Sequence, residues 1–171
     1  DVIGYGRSLL ADPDIALKVA SGEPVRLCLN CNKGCVDAIQ GRRYISCVLN
    51  AENGDEETVF IRPGDGDKRV AVVGGGIAGC EAARVAARRG YRVTLFERAE
   101  RLGGQIELAA APPRKAEIMR SVEYYERVLP ELGVDVRLGT AAGPADLEGF
   151  DAAIVAVGAS NVTLPVPGSD R

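Results

Sequence analysis

The run Val70-Ala-Val-Val-Gly74-Gly75-Gly76-Ile-Ala-Gly79 leaves this chain little freedom in how it folds. An apolar, β-branched stretch breaks into glycines and restarts as an alanine-rich segment over 77–89, which Gly90 ends. That order reads as strand, tight turn and helix, the opening of a βαβ unit. Gly74 permits the turn out of the strand. Gly76, lacking a Cβ, lets a pyrophosphate approach the backbone, and Gly79 lets the helix pack closely on the strand. The free N–H groups and the dipole at the helix start favour phosphate. Glu97 closes the next strand, 91–97, about twenty residues on, where a carboxylate accepts the hydroxyls of an adenosine ribose. A glycine turn kept for steric reasons is the bland alternative. The flanking strand, the small-residue helix and the acidic strand end together favour a bound dinucleotide.

A second signal lies upstream. Cys28, Cys31, Cys35 and Cys47 follow the spacing C-x2-C-x3-C-x11-C. Four thiolates suit zinc or an iron–sulfur cluster. Structural zinc usually pairs two C-x2-C knuckles. Three cysteines within eight residues plus one distant partner fit the corners of a [4Fe–4S] cube better, with zinc or disulfides as the alternatives. The remaining cysteine, Cys80, falls on the first turn after Gly79 and is expected to be buried and structural.

Between and around these signals the chain divides readily. Residues 1–7 are expected as a short strand ending in glycines, and Asp12-Pro13 as the cap of a helix running to about Ala20, stopped at Ser21-Gly22. Residues 28–61 form a cysteine segment of loops and short helices, and residues 62–68 (RPGDGDK) a linker. From residue 69 to 171 the pattern is α/β. A long helix is expected near 114–132, with Ile118, Val122, Tyr125 and Leu129 at helical spacing, then a strand over 134–138. Residues 151–157 (DAAIVAV) are fit for a buried parallel strand. The tail Pro165-Val-Pro167-Gly168 is turn material.

Composition excludes more than it selects. The chain has 171 residues, 46% hydrophobic and 26% charged, and a net charge of −3. Nothing favours nucleic acid or an anionic membrane surface, and no apolar run approaches the roughly 20 residues of a spanning helix. No secretory leader is visible, so a cytoplasmic setting is expected. With no histidine in the chain, Ser-His-Asp and Cys-His catalysis cannot be built from within it. No catalytic residue is therefore assigned.

Two further stretches resemble flavoproteins of the glutathione-reductase type. Glu97-Arg98-Ala-Glu-Arg101-Leu-Gly103-Gly104-Gln105 is similar to their region after the second strand, and Val155-Ala-Val-Gly158-Ala to their later strand-and-glycine motif. An ordinary turn at Gly103-Gly104 is the alternative. Taken in order, residues 3–12 (IGYGRSLLAD), the cysteine set and the VVGGGIAG fingerprint resemble the iron–sulfur flavoenzymes related to old yellow enzyme, such as 2,4-dienoyl-CoA reductase, enoate reductase and trimethylamine dehydrogenase.

The resemblance implies a fragment. In that family an FMN-bearing (β/α)8 barrel precedes the cluster segment, and an FAD domain carrying an inserted NAD(P) domain follows it. The barrel and the NAD(P) domain of the parent chain are then the partners of this piece; a homo-oligomer is a separate expectation. Residues 1–27 would be the end of the barrel, and residues 69–171 the first part of a Rossmann-like domain for FAD or ADP. Gly6 and Arg7 match positions that touch the FMN phosphate, and Cys28, Cys31, Cys35 and Cys47 match the cluster ligands. Gly75, Glu97, Gln105, Lys115 and Ala142 match positions that contact FAD or ADP, with Lys33 near them. The implied route carries electrons from NAD(P)H through FAD and the cluster to FMN and an activated C=C bond. An amine dehydrogenase with structural ADP, or a zinc-stabilised nucleotide-binding module without enzymatic activity, are the competing readings.

Overall fold

A computed structural model of the protein describes residues 2–160 and 165–166. Part of the Pro165–Gly168 tail thus lies outside the described residues. The N-terminal segment differs from expectation. Residues 2–6 form no strand, and Arg7–Ala11 is a helix, α1. An extended segment here would have no described strand to pair with, leaving its backbone groups without partners.

Asp12 does not cap the following helix, α2 (Ile15–Ser21), whose N-cap residue is Asp14. Its buried carboxylate instead accepts Lys18 Nζ at 2.7 and 2.8 Å and the backbone N–H of Arg26 at 2.9 Å. A buried carboxylate must be paired, and a cation plus a peptide donor serve it better than one exposed helix end. The helix stops where expected, with Gly22 in the left-handed region at φ 78°. A third helix, α3 (Val36–Gln40), starts directly after Cys35.

The nucleotide-type unit follows as β1 (Arg69–Val73), α4 (Ile77–Arg88), β2 (Arg92–Phe96), α5 (Ile106–Ala110), α6 (Arg120–Glu131), β3 (Asp135–Arg137) and β4 (Ala152–Val155). The strands form one parallel sheet in the order β3-β2-β1-β4. In register, Val72 lies opposite Leu95 on one side and Ile154 on the other. Alternate strand residues Val70, Val72, Val93 and Leu95 point to the face where Ala83 and Ala86 of α4 and Val122, Tyr125 and Leu129 of α6 complete the core. Each large side chain buried there contributes about 1.5–3 kcal/mol.

Two expectations in this half need correction. The helix near 114–132 is not continuous: Ala116–Met119 is a 3-10 turn, and α6 begins at Arg120. Ile118 is therefore only half-buried while Val122, Tyr125 and Leu129 are fully packed. β4 is parallel as expected but not buried, because it forms the sheet edge and nothing among the described residues covers its outer side. The 62–68 segment is irregular yet pinned. Gly64 N–H donates to Arg89 O at 2.7 Å, and Arg92 pairs with Asp67 at 2.8 Å. Among the described residues no helix is long and apolar enough to cross a membrane.

Candidate functional site

The glycine turn is built by close packing on three of its sides. A Cβ on Gly79 would overlap the carbonyl oxygen of Gly74, and a Cβ on Gly74, whose φ is 109°, would overlap that of Ala156. At Gly75 it would meet Leu102 at 2.7 Å and the Glu97 side chain at 2.9 Å. Gly76 is different: a Cβ there would meet nothing within 4 Å. The open side of the turn thus lies over Gly76, the N-cap of α4, which makes no side-chain capping bond. The first N–H groups of a 12-residue helix face that space, the setting a phosphate group requires.

Glu97 is drawn into this turn. Its buried carboxylate accepts Gly75 N–H at 2.5 Å through one oxygen and Ala99 N–H at 2.8 Å through the other. A carboxylate has about four acceptor positions, so further hydroxyl donors can still be accommodated. Glu97 also joins the loop after β3 by its backbone, accepting Thr140 N–H at 2.8 Å, which brings Ala142 to within two residues of the contact.

The second glycine pair closes onto the first. Gly103 N–H donates to Gly75 O at 2.8 Å, and Gly76 and Gly103 form an isolated parallel bridge. Gly103 and Gly104 both have positive φ, 115° and 56°. Gln105 Nε2 donates to Ala159 O at 3.0 Å, next to Gly158, which is left-handed at φ 74°. The structure therefore gathers Gly74, Gly75, Gly76, Gly79, Glu97, Gly104, Gln105 and Gly158 around one turn. Lys33, Arg98 and Lys115 are exposed and make no hydrogen bond to it.

Cys80 lies beneath the turn. It is 1% exposed, and its thiol donates to Gly75 O at 3.2 Å. Burial, with the negative charge of Glu97 adding to it, pushes the thiol up to about 12. The folded state keeps it neutral, so its stabilising share is present below the ordinary thiol range and is lost as pH rises toward 12. Cys80 is expected to stay unalkylated by iodoacetamide at pH 8 in folded protein and to react on denaturation. Mass spectrometry of the native-state adducts checks this, and rapid modification of Cys80 would contradict its placement.

All four remaining cysteines are free and line one cavity, together with Arg7, Leu10, Asn32, Gly34 and Ser46. Asn30 and Asn32, on either side of Cys31, are left-handed at φ 55° and 59°, and Asn30 N–H donates to Cys28 Sγ at 3.4 Å. Asparagine tolerates that backbone better than most side chains. Gly34 admits the Cys47 loop, since a Cβ there would come 2.5 Å from Ser46 O. Asn50 Nδ2 ties that loop to α1 through Leu10 O at 3.0 Å. Among the described residues no group of three or more Cys, Asp or Glu side chains is arranged to hold a single metal ion. Four free thiols around a shared cavity are the donor set that a metal ion or an iron–sulfur cluster would draw on. Arg7, which the resemblance matches to an FMN-phosphate position, donates to Asn32 Oδ1, and Gly6 is the N-cap residue of α1.

Several residues that join the two sites escaped the sequence patterns. Arg120, the first residue of α6, donates to Cys28 O at 3.1 Å, and Asn30 Nδ2 donates to Glu117 at 3.1 Å. The Arg26 guanidinium lies 5.3 Å from the centre of the Tyr124 ring. The neighbouring Tyr125 hydroxyl donates to Glu81 at 3.0 Å, and Glu81 is paired with Arg84 at 2.7 Å. Burial alone would raise the Glu81 carboxyl, but the Arg84 guanidinium holds it below its ordinary value. Only the two asparagines carried a usable signal, a short polar residue on each side of a cysteine.

The comparisons with known proteins fall on this frame. Residues 72–129 match the NAD(P)-binding Rossmann-like domain. Bilirubin reductase of Mediterraneibacter gnavus is 52% identical over 173 residues, covering 99% of this chain and 27% of that protein. Cinnamate reductase of Clostridium sporogenes is 39% identical over 175 residues, covering 100% of this chain and 26% of that one. The solved structure of 2-naphthoyl-CoA reductase in complex with 2-naphthoyl-CoA superposes with a TM-score of 0.90 at 30% identity, over 96% of this chain and 26% of that one. These relatives belong to the old yellow enzyme-related flavoprotein family, and the chain is similar to one segment of them along nearly its whole length. It spans about a quarter of the length of these old yellow enzyme-related flavoproteins.

Proposed function

We propose that this chain is the electron-transfer segment of an NAD(P)H-dependent iron–sulfur flavin oxidoreductase. The observation that carries the reading is that one short chain folds four free thiols around a cavity and ties Cys28 to the start of α6, in the same α/β unit as the open glycine turn. Cys28, Cys31, Cys35 and Cys47 would hold a [4Fe–4S] cluster. The N–H groups at the start of α4 would take the pyrophosphate of FAD, and the free acceptor positions of Glu97 would take the adenosine ribose. When bound, these groups supply the one- and two-electron chemistry, and the protein supplies their placement. Glu97 orients by accepting hydrogen bonds, Gly76 admits the phosphates, and the packed wall of Leu102, Val122 and Cys80 excludes water from beneath the turn.

The names of the relatives, cinnamate reductase and 2-naphthoyl-CoA reductase among them, support reduction of an activated C=C bond at a site beyond this chain. FMN in a barrel of the parent polypeptide would deliver the electrons there, and an NAD(P) domain would supply them. The parent polypeptide, mixed anaerobically with NAD(P)H, is expected to bleach its flavin absorption and then its broad cluster absorption. An enoyl acceptor should reoxidise both. Inertness to NAD(P)H together with reduction by a methylated amine would overturn this reading in favour of an amine dehydrogenase.

A further inference from the structure

We propose that Arg120 is a positioning residue that fixes the Cys28 loop against the nucleotide-binding unit and raises the reduction potential of the centre those cysteines hold. The proposal rests on the reading of Cys28, Cys31, Cys35 and Cys47 as cluster ligands. Arg120 is the first residue of α6, so its backbone is fixed by a helix whose next turns carry the buried Val122, Tyr124 and Tyr125. From there its guanidinium reaches back across 92 residues of sequence to donate to Cys28 O at 3.1 Å.

Two neighbours hold the geometry. Glu117, one turn earlier, faces Arg120 at 3.7 Å and also accepts Asn30 Nδ2 at 3.1 Å. Asn30 in turn places its backbone N–H 3.4 Å from Cys28 Sγ, in the left-handed conformation that aims this donor at the sulfur. Cys28 is thus gripped at its carbonyl by a cation and at its sulfur by a peptide N–H, and both grips lead to the same turn before α6. Among the described residues this is the direct polar link between the cysteine loop and the nucleotide-binding unit.

The electrostatic consequence follows from charge. Reduction adds one electron to the cluster with no bond made or broken, so negative charge grows beside Cys28. A guanidinium on the carbonyl of the ligating residue, and an N–H on its sulfur, stabilise the reduced form. Glu117 opposes them, and its share is smaller because it reaches the cysteine loop through the Asn30 side chain while Arg120 bonds the Cys28 carbonyl directly. Arg120 therefore pulls the potential up, and Glu117 pulls it down.

The test uses the full-length parent polypeptide, purified anaerobically, with iron and sulfide assayed first. The cluster potential is then titrated with a chemical reductant and followed by absorption and electron paramagnetic resonance. Arg120→Gln should keep its iron and make reduction about tenfold less favourable, about 59 mV for a one-electron couple. Arg120→Lys, which keeps the charge, should recover most of that change. Glu117→Gln should shift the equilibrium about threefold the other way, and it decides the matter if Arg120→Gln fails to fold. An unchanged or raised potential in iron-replete Arg120→Gln, or a lowered or unchanged one in Glu117→Gln, would overturn the proposal. Absence of iron from the parent itself would instead remove the cluster reading on which the proposal stands.

Discussion

Cys31→Ser and Cys47→Ser, each introduced into the full-length protein, are expected to lower bound iron to well under half of about four per chain. Both should bleach the brown colour of anaerobic preparations to the same degree. The equality matters. Cys31 belongs to the tight group of three while Cys47 stands alone in sequence, yet both line the same cavity. If these thiols hold the proposed cluster, the loss of either would open one of its corners to solvent. Cys80→Ser is the control, because Cys80 faces Gly75 O under the glycine turn and not the cavity. It should leave iron unchanged and cost about 1–3 kcal/mol of stability, since a hydroxyl is buried less readily than a thiol. Stoichiometric zinc with negligible iron in the parent would reject the cluster and favour the zinc-stabilised alternative.

The second large effect separates two glycines only three residues apart. Gly79→Ala should destabilise the fold by about 3 kcal/mol or more, because the new methyl would overlap the Gly74 carbonyl and force α4 off β1. Urea denaturation followed by circular dichroism reads this directly. Gly76→Ala should leave the denaturation midpoint nearly unchanged. Its φ of −69° and ψ of 174° suit alanine, and nothing lies within 4 Å of the added atom. The same methyl occupies the space assigned to the pyrophosphate, so calorimetry with ADP or FAD should show binding reduced at least tenfold. Glu97→Ala should weaken the nucleotide by about 1.5–3 kcal/mol through lost charge-assisted hydrogen bonds. If Gly76→Ala bound nucleotide as well as the parent, the open side of the turn would not be the phosphate site.

Much of this was legible locally. A glycine fingerprint works because its requirements are local: a turn with positive φ, a missing Cβ under a close contact, a helix start within a few residues. Gly74 and Gly79 meet those requirements as the spacing implied. Cys28, Cys31 and Cys35 were legible as a group for a related reason, since thiols within eight residues cannot stray far from one another. Cys47, by contrast, reaches their cavity only because the chain turns back after α3. Cys80 was read correctly as structural because an apolar position on the first turn of α4 faces the sheet.

What the sequence left open depended on partners distant along the chain. The N-terminal glycines suggested a strand, but a strand needs a neighbour, and among the described residues none pairs with residues 2–6. Residues 151–157 looked like a buried strand because they are apolar. Their burial is decided by what lies beside the sheet edge, and β4 is open there. Asp12 looked like a helix cap until burial brought it against Lys18 and Arg26. Arg120, Glu117 and Arg26 carried no pattern at all, because each acts on residues far away in sequence. The sequence by itself determined the strand–turn–helix unit, the acidic end of β2 and the identity of the four thiols. Only the tertiary structure decided how Cys28 is held against α6, since that depends on a side chain 92 residues away reaching a backbone carbonyl, and no local propensity encodes such a distance.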